Sequence, residues 1–478
     1  MTRRVLMTRL DKRLEDMKEH LVQTFDAVEC VAVTADCWTS FHRTLLGVMA
    51  LWLEPDSLER RSAALALRRL TGRVTYDKLA DALSEVFQEY KIRGKVTKVI
   101  TDNGPNFIKA FRLYGGEAEV TDFAGEEPVE VGRLMDDAED AGIRLPPHHR
   151  CAAHTLNLVA THDASRAEND AEFANASKSA IKKCTALWNR QGQSTAAADI
   201  IKRHCGIYLV RPVATRWNSL YDSLECILRL KGQGVDLNTL LCTLGLPLFQ
   251  CPQDVTFIEE YCPVMKPVAR ALDLLQGEKT MYMGYMLPTI TVLRRMLEYQ
   301  AMKGLRYCGP LAAALLDGLH KRFEHHMHDD TLLVSSVVTP RFKLAWITEE
   351  ERRKITIELV KARMDSQPLC HQPNKRSSAH NDYATAEDFF AFGNATSHSN
   401  PDDEELSRFL LLPEDFKLAS LKANFPNVHR IFIRTNTASS ASVERLFSVC
   451  ADTLTKKRTK ITDGNFERQL LLRVNRNV

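Results

Sequence analysis

Residues 425–478 read FPNVHRIFIRTNTASSASVERLFSVCADTLTKKRTKITDGNFERQLLLRVNRNV. A polar entry at Thr437, Ser439 and Ser440 leads into Val443, Leu446, Phe447, Cys450 and Leu454, which recur at helical spacing and form one apolar stripe that must be buried. A basic turn follows, and Asp463 is placed to cap a second helix in which Phe466, Leu470 and Val474 stack turn upon turn. Two helices this short have too little core of their own, so they dock on the body of the chain, on another chain, or on both. Self-association through Val443, Leu446, Phe447, Leu454, Phe466, Leu470 and Val474 is the expectation. Glu444 breaks the pattern: a carboxylate beside an apolar stripe is costly unless it stays wet, pairs with a cation, or holds a metal.

The 478 residues allow two to four domains, and the apolar fraction is ordinary. Formal net charge is only +3, yet residues 425–478 alone carry ten Lys/Arg against four Asp/Glu, so charge is segregated along the chain. Residues 115–146 are the opposite case, ten carboxylates against Arg133 and Arg144, and read as a solvated acidic insertion. The twelve cysteines are scattered singly without a CxxC pair, which argues against a disulfide framework and against a BED-type zinc finger, and no zinc is expected. The N-terminal residues are charged with a helical rhythm, and no stretch has the length and hydropathy of a membrane span. A soluble intracellular protein with no membrane partner is expected.

Outward from the C-terminal stretch, the other informative region lies at the opposite end. Leu10, Leu14, Met17 and Leu21 put one apolar side on a helix within 1–27, and the period then changes. Residues 28–36, VECVAVTAD, read as a strand that stops at an acid; 45–53 and 62–70 continue as a three-stranded meander, with helix as the alternative on propensity alone. An amphipathic helix over 76–90 precedes the β-rich KVTKVIT at 95–101, which ends at Asp102-Asn103-Gly104-Pro105 before a helix restarts. If the first and fourth strands lie side by side, Asp36 and Asp102 meet at one sheet edge, close enough to share a divalent cation; Mg²⁺ favours such oxygen ligands. Either aspartate alone would read as a strand-end turn acid. Cys151 and His154, three apart, share one face if helical, and a structural or DNA-facing role suits them better than zinc. Residues 161–364 are helical in pattern; Arg216-Trp217 within them pairs a cation with an aromatic, a combination suited to stacking on a base or to core-edge packing. Residues 365–405 read as a flexible linker with a short helix over 384–392, and 406–478 as the C-terminal region. Lys456, Lys457, Arg458 and Lys460 are the plainest phosphate contacts, or equally an exposed turn or a nuclear-import patch.

Taken in order, Thr34–Ser40, Ile100–Asn106, Arg150–Leu158, Thr215–Asn218, Pro340–Lys343 and above all Ala438–Ser448 resemble the hAT superfamily of DNA transposases and the proteins domesticated from them. The resemblance implies an α/β, RNase H-like mixed sheet over 28–160, interrupted by a large all-α insertion and closed by the C-terminal hAT dimerisation helices. It implies Asp36, Asp102 and Glu444 as catalytic, metal-holding acids, with Mg²⁺ or Mn²⁺ as cofactor if active, and it sets Cys151, His154, Arg216 and Trp217 near the DNA end. The family's BED finger has no counterpart in this sequence. Three functions follow as expectations: a transposase-derived nuclear protein that homodimerises and associates with DNA; a competent DDE-type transposase; or a non-catalytic interaction scaffold.

Overall fold

The computed structural model describes residues 2–115, 143–213, 218–250, 252–277, 281–365, 401–413, 416–437, 442–454 and 460–476, with the side chains of residues 3, 401–403, 442 and 444 left aside. After α1 (Arg3–Ala27) the chain makes β1 (Val31–Ser40), β2 (Arg43–Leu53) and β3 (Arg60–Leu70), then α2 (Tyr76–Glu89), β4 (Val96–Thr101) and α3 (Pro105–Tyr114). A three-residue strand, β5 (His148–Arg150), completes a five-stranded sheet of order β3-β2-β1-β4-β5. The meander pairs are antiparallel, whereas β1–β4 and β4–β5 are parallel. The expected mixed sheet is therefore present, and the apolar runs at 45–53 and 62–70 are strands rather than helices.

Alternation along β1 explains how the sheet is covered. Val31, Val33 and Ala35 point to one face, where Leu21 and Phe25 of α1, Leu79 and Leu83 of α2 and Phe107 and Phe111 of α3 bury them. The even-numbered residues point the other way. There Ala32 and Ile100 join the core of a helical block. That block comprises α4 (Ala152–Leu158), α5 (Ala171–Gln193), α6 (Thr195–Cys205), α7 (Ser219–Gly232), α8 (Leu237–Thr243), α9 (Gln253–Leu275), α10 (Met286–Ala301) and α11 (Gly309–Phe323). α9 is its centre, touching α4, α5, α7 and α10.

A third core gathers α12 (Asp330–Val337), α13 (Glu350–Asp365), α14 (Pro401–Leu410) and α15 (Pro426–Asn436) around Phe409, Val428 and Phe432. The expected linker over 365–405 needs correction at its end: residues 401–410 are helical, because Leu406 and Phe409 are buried against α13 and α15. The short helix expected over 384–392 and most of the acidic insertion lie outside the described residues. Asn436 fastens α15 to the block. Its fully buried amide accepts from Gly284 N at 2.7 Å and donates to Ser335 O at 3.1 Å.

The last two helices are α16 (Ser442–Thr453) and α17 (Asp463–Val474). Thr462, not Asp463, is the residue preceding α17; Asp463 stands in its first turn and takes a hydrogen bond from Arg43 at 3.0 Å. Val443, Leu446, Phe447, Leu454, Phe466 and Leu470 are all buried, with Val474 at the margin, against Leu45, Met49, Ala64 and Leu67 of β2 and β3. Of the docking alternatives, the stripe takes the chain's own sheet. α17 also closes the outer strand. Asn475 both donates to Ala64 O and accepts from Ala64 N at 2.8 Å, and Glu467 accepts from Leu67 N at 3.0 Å, so side chains satisfy backbone groups that β3 leaves unpaired.

Candidate functional site

The parallel pairing of β1 with β4 aligns Ala35 with Thr101, so the next residue of each strand, Asp36 and Asp102, emerges side by side at the same end of the sheet. In register, neighbouring side chains share a face. Both aspartates are half-buried. Each has one oxygen fixed by backbone: Asp36 Oδ1 accepts from Cys37 N at 2.6 Å, and Asp102 Oδ1 accepts from Gly104 N at 3.0 Å. Glycine leaves room for the second contact, since a Cβ on residue 104 would sit 2.9 Å from that oxygen and push the carboxylate aside. The Cys37 thiol reports on the shared charge. Burial first, then the carboxylates of Asp36 and Asp102, push its pKa up to about 12.

Across the antiparallel pair Asp36 stands directly opposite Gly47, and residues so paired point to the same face. A Cβ on Gly47 would lie 2.8 Å from Phe447 Cε1 and 3.0 Å from Leu446 Cδ2. Helix α16 therefore crosses the face that carries Asp36, with Phe447 further held by stacking on Trp38 at 6.1 Å. Glu444 lies one turn before Phe447 on this helix, so its backbone belongs to the same neighbourhood; its side chain lies outside the described residues.

The third wall comes from the segment after β5. Cys151 N donates to Thr101 O at 2.8 Å, which hangs the start of α4 on the end of β4. Cys151 is buried and its sulfur accepts from His154 N at 3.3 Å, so it serves as the helix cap and not as a surface residue. His154 is half-buried next to Asp102. Burial lowers its pKa, opposed by the Asp102 charge and reinforced by Arg322. Asn103 donates to Thr155 at 3.3 Å and closes the corner.

Of the sequence-predicted residues, Asp36, Asp102 and His154 converge, and Lys460 is exposed beside α17. Arg216, Trp217, Lys456, Lys457 and Arg458 lie outside the described residues. Residues not anticipated from sequence are Cys37, Gly47 and Gly104. The signal at 104 was its place two residues after an acid, an Asx-turn spacing. Among the described residues no three His, Cys, Asp or Glu side chains are grouped to hold a metal ion. Two carboxylates placed where the β1–β4 pairing ends nevertheless form an oxygen donor set that suits a hard divalent cation.

No described helix is long and apolar enough to cross a membrane. No protein-family model matches the chain. It is similar to an AC transposase of Zea mays, 24% identical over 262 residues that cover 51% of this chain and 29% of that protein. An AC9 transposase of Zea mays is 24% identical over 237 residues, 48% of this chain and 25% of that protein. Zinc finger BED domain-containing protein 4 of Homo sapiens is 19% identical over 376 residues, 72% of this chain and 30% of that protein. The chain thus spans less than a third of the length of each of these curated relatives.

Proposed function

We propose, from the premise that this is an hAT-type transposase-derived protein, that its sheet is an RNase H-like core and acts on DNA in the nucleus by metal-dependent phosphodiester cleavage. The observation that carries this reading is the register of β1 with β4, which sets Asp36 beside Asp102 at the sheet end. Asp36 and Asp102 would hold Mg²⁺ or Mn²⁺, with Glu444 supplying the third carboxylate from α16. When bound, the ion supplies the positive charge that activates a water and steadies the leaving oxygen. The chain's own contribution is positional. Cys37 N–H and Gly104 N–H hold the two carboxylates in place, so little reorganisation is needed when a phosphate arrives. Phe447 and Trp38 cover the apolar flank of the acids.

DNA association and homodimerisation are parts of the same proposal. Because the apolar stripe of α16 and α17 is committed to β2 and β3, self-association uses the outward side of α16, where Arg445, Ser448 and Asp452 are exposed. The test is plasmid nicking with Mg²⁺ or Mn²⁺, comparing wild type with Asp36→Asn, Asp102→Asn and Glu444→Gln. Loss of nicking in all three variants, with folding intact, supports the reading; nicking that persists in them removes these acids from the chemistry.

A further inference from the structure

The hairpin joining β1 to β2 overruns the acid site. Pairing with β4 stops at Ala35–Thr101, whereas pairing with β2 continues to Ser40–Arg43. The tip therefore projects about 13 Å past Asp36, four residues at the usual strand rise. Its two turn residues, Phe41 and His42, both have positive φ, 47° and 61°. A two-residue turn of this kind favours Asn-Gly, and a bulky aromatic there is an outlier. Phe41 is also 40% exposed, and it is the one phenylalanine among the described residues that stands in solvent.

The surroundings hold this tip rigidly. Thr39 and Thr44 hydroxyls bond across it at 3.1 Å, and Arg69 donates to His42 O at 3.1 Å. Arg43 donates to Ile461 O at 2.9 Å and to Asp463, which brings the exposed Lys460 next to the tip. A fixed aromatic, a neighbouring exposed lysine and an acid pair that would meet a phosphate through a divalent cation fit a single-stranded nucleic acid, whose bases stack on aromatics and whose backbone seeks cations. A base a few nucleotides from the acids therefore falls at the tip.

We propose that Phe41 is a base-stacking wedge for a single strand of DNA whose phosphate occupies the Asp36–Asp102 site, with Lys460 on the adjoining backbone. This rests on the DNA reading of the acid pair. Left-handed backbone strain at Phe41 gives the proposal a test with opposite signs. In Phe41→Gly the strain is relieved, so the thermal midpoint rises, while binding of a fluorescein-labelled 12-nucleotide single-stranded DNA, read by anisotropy, weakens about 5- to 100-fold. Phe41→Trp keeps the affinity within about threefold, because a larger π-face still stacks. A 2-aminopurine reporter is quenched by wild type and by Phe41→Trp but not by Phe41→Gly. If wild type binds and Phe41→Gly binds equally well, the wedge is refuted and the DNA reading stands. If wild type binds no DNA, both fall.

Discussion

Replacing Gly47 by Ala adds one methyl group at the point where the last part of the chain meets the sheet. In an open strand this change would stabilise by about 0.4–1 kcal/mol, because glycine loses more backbone entropy on folding. Here the new Cβ would stand 2.8 Å and 2.9 Å from Phe447 Cε1 and Cζ and 3.0 Å from Leu446 Cδ2. Carbon atoms prefer about 3.5–4.0 Å, so helix α16 must retreat or the ring must turn. The ring is stacked on Trp38 and Phe447 is only 8% exposed, so it has little room to turn. Overpacking of this kind costs about 1–3 kcal/mol, which set against the backbone gain leaves a net loss of up to about 2.5 kcal/mol. Urea unfolding should show a lower midpoint, and hydrogen exchange should accelerate across residues 442–453 with little change in α2. Adding Phe447→Leu to Gly47→Ala should restore part of the loss. A midpoint equal to or above wild type would show that α16 does not press on the sheet opposite Asp36, and the placement of Glu444 beside the acids would lose its support.

Acid should weaken the joint between the sheet and the helical block. Burial pushes the imidazoles of His148 and His326 down to about 3 and that of His149 well below 6.5, with Lys98, Arg150 and His325 adding repulsion and Asp329 alone opposing it at His325. Unfolded imidazoles take up protons near 6.5 while these do not, so stability is complete above that pH and falls as pH drops below it, by up to about 1.4 kcal/mol per unit for each group. Urea midpoints measured from pH 7 to pH 5 check this, and His149→Gln should flatten the slope. Asn436→Ala strands Gly284 N in the interior, at about 1–3 kcal/mol, while Ser335 O keeps the Thr339 hydroxyl, so a thermal midpoint within error of wild type would contradict the clasp.

The sheet was legible because β1 to β4 follow patterns that local chemistry imposes: β-branched runs, turn residues between them, and acids where strands must end. β5 was not, since His148-His149-Arg150 has no strand character of its own and becomes extended only because β4 offers it backbone partners. Residues 401–405, the first half of the 401–410 helix, read as linker for the same reason. Their acidic start masks Leu406 and Phe409, whose helix is stabilised by packing and not by propensity. In the site, Asp102 could be placed because it ends its strand, whereas Asp36 does not: β1 runs on to Ser40, and only its pairing with β4 stops before Asp36. That Gly47 would be the contact point for α16 depends on elements four hundred residues apart and leaves no local trace. The apolar stripe of 443–474 showed that something must be covered but not what covers it.

The clasp of Asn475 and Glu467 on β3 sets an order of assembly. Strands β1 to β3 leave the ribosome some four hundred residues before α17, a delay of roughly 20–80 s at 5–20 residues per second. Throughout that interval the outer strand exposes Ala64 and Leu67 amides to any extended peptide nearby, and the face bearing Asp36 lacks its α16 cover. A half-made chain therefore carries an adhesive border and an uncovered Asp36 face, and both are sealed in the same late docking step.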